Sequence, residues 1–166
     1  MPIVVPTPNT VITSAWGKSV ADMLNANIPR ELAYTQATTT KSVTSGVETS
    51  ADLVVAAPAI ALDGTTAVLV ELFAPAVIPA SVAGAFVMVW LYQDGLSIGR
   101  MATVITPAAG QLVAPVYAAR RLTPAAGNRQ FSFAATAGGG GAGSVVAAAG
   151  GVGQYQPAFI RVTRAA

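Results

Sequence analysis

Neither histidine nor cysteine occurs in the 166 residues, so the side chains left for chemistry are carboxylates and hydroxyls. Ser-His-Asp and Cys-His nucleophilic systems need an imidazole base, and imidazole- or thiolate-based metal sites need ligands this chain lacks. Asp52, Asp63 and Asp94 are the acids that can be considered as an acid–base pair. Two of them precede glycine, in Asp63-Gly64 and Asp94-Gly95. That dipeptide favours a two-residue turn with φ > 0, which gives these aspartates a local structural role. Asp52 opens a candidate strand. Gly138, Gly140 and Gly143 match the spacing G-x-G-x-x-G. A dinucleotide site also needs a helix opening at the last glycine and an acid about 20 residues further on. No acid follows Asp94, so the run is expected to be a tightly packed or flexible hairpin connection. No catalytic residue, metal or cofactor is expected, and the chain is expected not to be an enzyme.

The elements that position these residues are mostly strands. Val82–Ile105 reads as a β-hairpin turning at Asp94-Gly95. Its simplest register places Trp90 opposite Gly99, Met88 opposite Met101, Leu91 opposite Ile98 and Val89 opposite Arg100. Its first strand is apolar on both faces, with Phe86, Met88, Trp90 and Tyr92 on one and Val87, Val89 and Leu91 on the other. An antiparallel strand with one wet face alternates apolar with polar; here both faces need cover. Arg100 opposite Val89 fits a dry aliphatic face poorly unless that end reaches solvent or a bulge shifts the register. The aromatic face is therefore expected to be the continuous dry surface. Phe86, Met88, Trp90 and Tyr92, with Phe159 near the end of the chain, are candidates for core or for subunit contact.

Met1–Thr10 holds three prolines and is expected to be an extended arm. A helix is expected over Thr13–Asn25, with Thr13 or Ser14 as cap. Trp16, Val20, Met23 and Leu24 form its apolar stripe, and Asn27 and Pro29 lie beyond its end. From Glu31 onward the pattern is strand after strand: Glu31–Thr40, Val43–Ala56, a second Asp-Gly hairpin joining Leu53–Leu62 to Thr66–Ala74, a loop at Pro75–Pro79, and the central hairpin. The motif Thr-Pro-Ala-Ala-Gly follows twice, at Thr106–Gly110 and Thr123–Gly127, and suits turns. Strands are expected at Gln111–Leu122, Arg129–Ala137, Ser144–Ala149 and Pro157–Arg164. About eight or nine short strands with regular turns imply an all-β antiparallel sandwich or jelly roll. The expected division is an arm and helix over 1–30 and a β-domain over 31–166.

Charged residues are 10% of the chain and apolar ones 53%, against about 25% charged in ordinary soluble domains. Burial in an oligomer or larger particle accounts for so lean a surface. The longest apolar run, Leu72–Leu91, is broken by Pro75, Pro79 and Gly84, so no membrane span is expected. The N-terminus lacks the basic and apolar regions of a secretory signal. Residues 1–94 carry three cations and seven acids, whereas residues 95–166 carry six arginines and no acid. The two halves are expected to interleave and cancel. The arginines are dispersed and not mixed with aromatics, so no nucleic-acid partner is expected.

The stretch Val11-Ile12-Thr13-Ser14-Ala15-Trp16-Gly17-Lys18-Ser19-Val20-Ala21-Asp22 resembles the "ITxxWGNxVxD" opening of small structural proteins of tailed bacteriophages, with Lys18 in place of the usual asparagine. The ending Pro157-Ala158-Phe159-Ile160-Arg161-Val162-Thr163 resembles the closing strand of phage virion proteins. Together with Leu91-Tyr92-Gln93-Asp94-Gly95 and the Gly-rich stretch, the domain is similar to trimeric jelly rolls of the tumour-necrosis-factor/C1q type. That resemblance implies a virion protein, assembled in the host cytoplasm, that forms a homotrimer with aromatics packed near a threefold axis. Its expected role is capsid decoration, with the arm and helix docking on the major capsid protein or other virion proteins through Trp16, Val20 and Leu24. A minor tail or fibre protein holding a host surface glycan is the alternative.

Overall fold

The computed structural model describes residues 31–165 together with Lys18. The arm, the expected helix over Thr13–Asn25 and the docking residues Trp16, Val20 and Leu24 lie outside the described residues; Lys18 is helical and exposed. Twelve strands follow: β1 (Glu31–Ala37), β2 (Lys41–Val43), β3 (Asp52–Ala56), β4 (Ile60–Leu62), β5 (Val68–Ile78), β6 (Phe86–Gln93), β7 (Leu96–Ile105), β8 (Ala114–Leu122), β9 (Gly127–Arg129), β10 (Phe131–Gly138), β11 (Gly143–Val146) and β12 (Ala158–Arg164). A 3₁₀ turn at Glu48–Ser50 precedes β3.

The longer strands form two antiparallel sheets, β1-β12-β5-β8 and β3-β10-β6-β7. The first is extended by β11 and β2 beside the far end of β5, and β4 pairs with β9 apart from both. Successive strands repeatedly change sheet, which makes the sandwich a jelly roll. The inward residues are the alternate positions of each strand, as the two-residue period of β-structure demands. Val68, Val70, Leu72 and Ala74 of β5, Val87, Val89 and Leu91 of β6, Phe131 and Phe133 of β10, and Ile160 and Val162 of β12 are all 0% exposed. Each such side chain removed from water contributes about 1.5–3 kcal/mol before entropy is counted, so this layer is what holds the sheets together.

Two local expectations fail for identifiable reasons. Asp63-Gly64 does not turn a hairpin: β3 and β4 lie in other sheets from β5. Among the described residues Asp94 is the one non-glycine with positive φ, so Asp63 cannot occupy a type I′ turn. Instead its carboxylate accepts hydrogen bonds from the Thr65 and Thr66 amides at 2.8 and 2.7 Å and from the Thr66 hydroxyl at 2.7 Å. Pro75, expected in a loop, lies within β5. It sits in a bulge between Ala74 and Val77, where the flanking neighbour changes from β12 to β11. A bulge is where a residue without an N–H costs a ladder nothing.

Candidate functional site

The central hairpin turns at Asp94-Gly95 with φ of 53° and 79°, as the dipeptide requires. Its register departs from the simple one after two pairs. Gln93 faces Leu96 and Tyr92 faces Ser97, but Leu91 faces Gly99, Trp90 faces Arg100, Val89 faces Ala102 and Met88 faces Thr103. Two irregularities in β7 account for the slip. Each one-residue shift moves a side chain to the opposite face; the first, between Tyr92 and Leu91, carries Arg100 off the aliphatic side, and the second restores the simple parity from Ala102 onward. The aliphatic face, Val87, Val89 and Leu91, is consequently the dry one. The aromatic face points outward, contrary to the expectation of a charge-free dry surface. Phe86, Met88 and Trp90 are half-buried there and only Tyr92 is buried.

This outer face is apolar but not featureless. Trp90 Nε1 donates to Thr136 Oγ1 at 3.0 Å, and the Tyr92 hydroxyl donates to the Glu48 carbonyl. Arg100 Nη1 lies 3.6 Å from Met88 Sδ. Leu53 and Ile105 add exposed apolar surface, at 50% and 53%. At the side of the sandwich Arg120 of β8 donates to the Ile98 carbonyl of β7. A Cβ at Gly99 would fall 2.7 Å from Arg120 Nη1, so glycine there admits the guanidinium that ties the two sheet edges.

The outer face of the other sheet carries a second constellation, of which only Phe159 and Arg161 stood out in the sequence. Phe159 of β12 faces Phe73 of β5, which faces Tyr117 of β8. The Phe159 ring centroid is 5.4 Å from Phe73 and 5.5 Å from Tyr34 of β1. Beside this row Glu71, 6% exposed, receives Arg161 Nε and Nη2 on Oε2, each at 2.8 Å. The Tyr117 hydroxyl donates to Glu71 Oε1. Arg161, and then the Tyr117 hydrogen bond, hold the Glu71 carboxyl below the usual carboxylate range against the opposing effect of burial. The same bond raises the Tyr117 phenol. Glu71 was detectable in principle, being the one charge in an eleven-residue apolar strand.

The candidate aspartates serve local structure. Asp52 Oδ2 accepts from the Thr44 and Ser45 amides at 2.6 and 2.9 Å, and Asp94 accepts from the Gln130 amide and Arg129. The Arg129–Asp94 and Arg161–Glu71 ion pairs each join an acid of the first 94 residues to an arginine of the rest, which is the cancellation expected from interleaved halves. The glycine run joins β10 to β11, which pairs with β5 and β2 in the other sheet. It is an inter-sheet crossing, not the hairpin connection expected, and a strand, not a helix, follows it. Among the described residues no group of three acids could hold a metal, and no helix is long and apolar enough to cross a membrane.

A pH profile follows from these groups. Asp52, Asp63, Asp94 and Glu71 all have lowered folded-state pKa values. Their contribution is present above the unfolded carboxylate range near pH 4 and is lost as pH falls through the lowered values. Tyr92, raised chiefly by burial, and Tyr117 contribute below about pH 10 and lose that contribution as pH rises through their raised values. With no histidine or cysteine, thermal melts between about pH 5 and 9 are expected to be flat, with falls on both sides. A step near pH 6–7 would contradict this.

No protein-family profile matches the chain, and no curated protein matches it in sequence. Solved structures resemble it distantly. A structure of infectious bursal disease virus Gx strain is 15% identical with a TM-score of 0.39, over 99% of this chain and 41% of that one. T=1 particles derived from infectious bursal virus give 14% identity and a TM-score of 0.41, over 99% and 40%. A carbohydrate-binding module from Cellvibrio mixtus lichenase 5A gives 15% and 0.29, over 84% and 98%. The chain spans about two fifths of the viral chains it resembles.

Proposed function

We propose that the chain is a non-enzymatic structural protein of a tailed-phage virion, a homotrimer that decorates and reinforces the capsid. The observation that carries this reading is the outer face of β3-β10-β6-β7. Phe86, Met88, Trp90, Leu53 and Ile105 leave one copy with an apolar sheet face wider than scattered single residues would make. Contact with neighbouring copies through Phe86, Met88 and Trp90 covers that face. Supporting it are the lean charge content and the Trp16-Gly17 opening stretch, whose resemblance is to virion proteins. In this reading Trp16, Val20 and Leu24 dock on the major capsid protein, and many weak contacts are multiplied by copy number.

Light scattering on the purified protein should give three times the chain mass, and a clean monomer at micromolar concentration would refute the trimer. Deleting residues 1–27 should leave a folded trimer that no longer binds particles; full retention of binding would remove the arm as anchor. Labelling on intact particles separates shell from tail, since many copies over the head are required for decoration.

A further inference from the structure

We infer that the outer face of β1-β12-β5-β8 is a binding platform for an uncharged glycan chain, a site separate from the contacts proposed between copies. The two outer faces differ in chemistry. That of β6 presents Phe86, Met88 and Trp90 singly among the aliphatic Leu53 and Ile105, and its one tryptophan N–H is already bonded within the chain. That of β12 and β5 presents Tyr34, Phe159, Phe73 and Tyr117 across four adjacent strands. At about 4.8 Å per strand the row is roughly 14 Å long, room for several sugar rings end to end. The rings are inclined to one another, by 42° between Tyr34 and Phe159 and by 31° between Phe73 and Phe159. They form a faceted floor, not a closed stack. Sugar rings offer a C–H face to such a floor and hydroxyls at its margins, the combination of apolar contact and few oriented polar groups that small-ligand sites use.

The polar groups are in place. Glu71 is held by two charge-assisted bonds from Arg161 and by the Tyr117 hydroxyl, so its carboxylate is oriented before any ligand arrives. Arg161, 41% exposed, engages Glu71 through two of its three nitrogens and keeps donors at the surface. Glu71 and Arg161 neutralise each other beside the row, which favours a neutral ligand over a charged one. A flat protein partner would dry this pair, and desolvating an ion pair is costly; hydroxyls replace the water instead. Tyr117, 62% exposed, ends the row and also lines an open cleft of about 400 Å³ between β7 and β8 with Thr103, Ile105 and Leu112. The floor therefore runs into a concave edge.

Electrophoresis of the full chain through gels cast with soluble mannan, dextran, galactan or β-glucan tests this. At least one should retard migration at low-millimolar sugar concentration, about the 1 mM range. Tyr34→Ala and Tyr117→Ala, both at exposed positions, should each weaken retention roughly tenfold or more, Tyr34→Ala with little change in melting temperature and Tyr117→Ala with a modest fall from the lost bond to Glu71. Leu96→Ala, at the exposed end of the central hairpin and outside both faces, should leave retention unchanged. Retardation by none of the four, retention that survives both tyrosine variants, or retention only by the polyanion dextran sulfate would overturn the site. Loss of oligomer mass in the tyrosine variants would also overturn it, by making the face a contact between copies.

Discussion

Phe133→Ala is expected to lower the unfolding free energy by about 3–5 kcal/mol, whereas Trp90→Ala should cost about half of that or less. The two residues sit on paired strands of one sheet, with Phe133 opposite Leu91 and Ala134 opposite Trp90, yet they point to opposite sides. Phe133 is 0% exposed between β3 and β6 and packs with the sheet-to-sheet layer. Deleting its ring leaves a void lined by Val55 and Leu91, which strands pinned on both sides cannot collapse to fill. Trp90 is half-buried on the outer face, so its removal exposes Ala134 and Thr136 to solvent and breaks one hydrogen bond worth about 1 kcal/mol. Urea denaturation at a fixed protein concentration measures both, a necessary control because association adds concentration-dependent stability. If Trp90→Ala proves the more damaging to an isolated monomer, the assignment of faces is wrong. If it shifts the oligomeric mass while the monomer's midpoint barely moves, the outer face is the subunit contact.

The contrast between Phe133 and Trp90 also shows which parts of the fold are local. Asp94-Gly95 was legible because a two-residue turn is decided by two residues. The strand expected over Pro157–Arg164 is likewise observed as β12, although its inward face was not assigned from the sequence: Ile160 and Val162 are buried and Phe159 lies on the outer side. The register beyond Tyr92 was not legible. The first bulge in β7 falls beside Gly99, which makes way for Arg120, a residue of a strand whose position only the tertiary fold fixes. Arg100 hinted at the slip, since a charge on the aliphatic side could not stay there. Pro75 misled because proline reads as a loop in isolation; its place in β5 depends on two partner strands, β12 and β11, meeting beside it. The Glu71–Arg161–Tyr117 cluster joins residues as far apart as 90 positions, and pattern within a segment carries no information on such pairs. The aromatic row has the same origin: Tyr34, Phe73, Tyr117 and Phe159 come from four separate segments and become neighbours only through the jelly-roll strand order.

Alanine at three glycines should separate backbone strain from close packing in the crossing between sheets. Gly84 has φ of +80° and open space where a Cβ would go, so Gly84→Ala should cost only the left-handed penalty, about 1–2 kcal/mol. Gly143 has no such φ, but a Cβ there would strike Val87 Cγ2 and lie 2.9 Å from the Ile78 carbonyl oxygen. Gly143→Ala should therefore cost about 1–3 kcal/mol by overpacking alone. Gly139 combines both: φ is +75°, and a Cβ would meet the Gly84 carbonyl oxygen and lie 3.0 Å from Ala85 Cα. These are backbone atoms of the turn before β6, held by the Gly84 amide bond to the Thr106 carbonyl at 2.8 Å and by the Thr106 amide bond to the Ala85 carbonyl at 2.8 Å. They cannot swing aside as a side chain would. Gly139→Ala should cost about 3–5 kcal/mol, near the sum of the two separate effects. Chemical denaturation of the three variants reads this order directly. A Gly139→Ala protein as stable as Gly84→Ala would mean that the run is a loose tether with room to move. The expected order instead makes the run the point where β10 leaves one sheet by passing against the entry to β6. Its glycines are then required by the closeness of that crossing and not by any ligand.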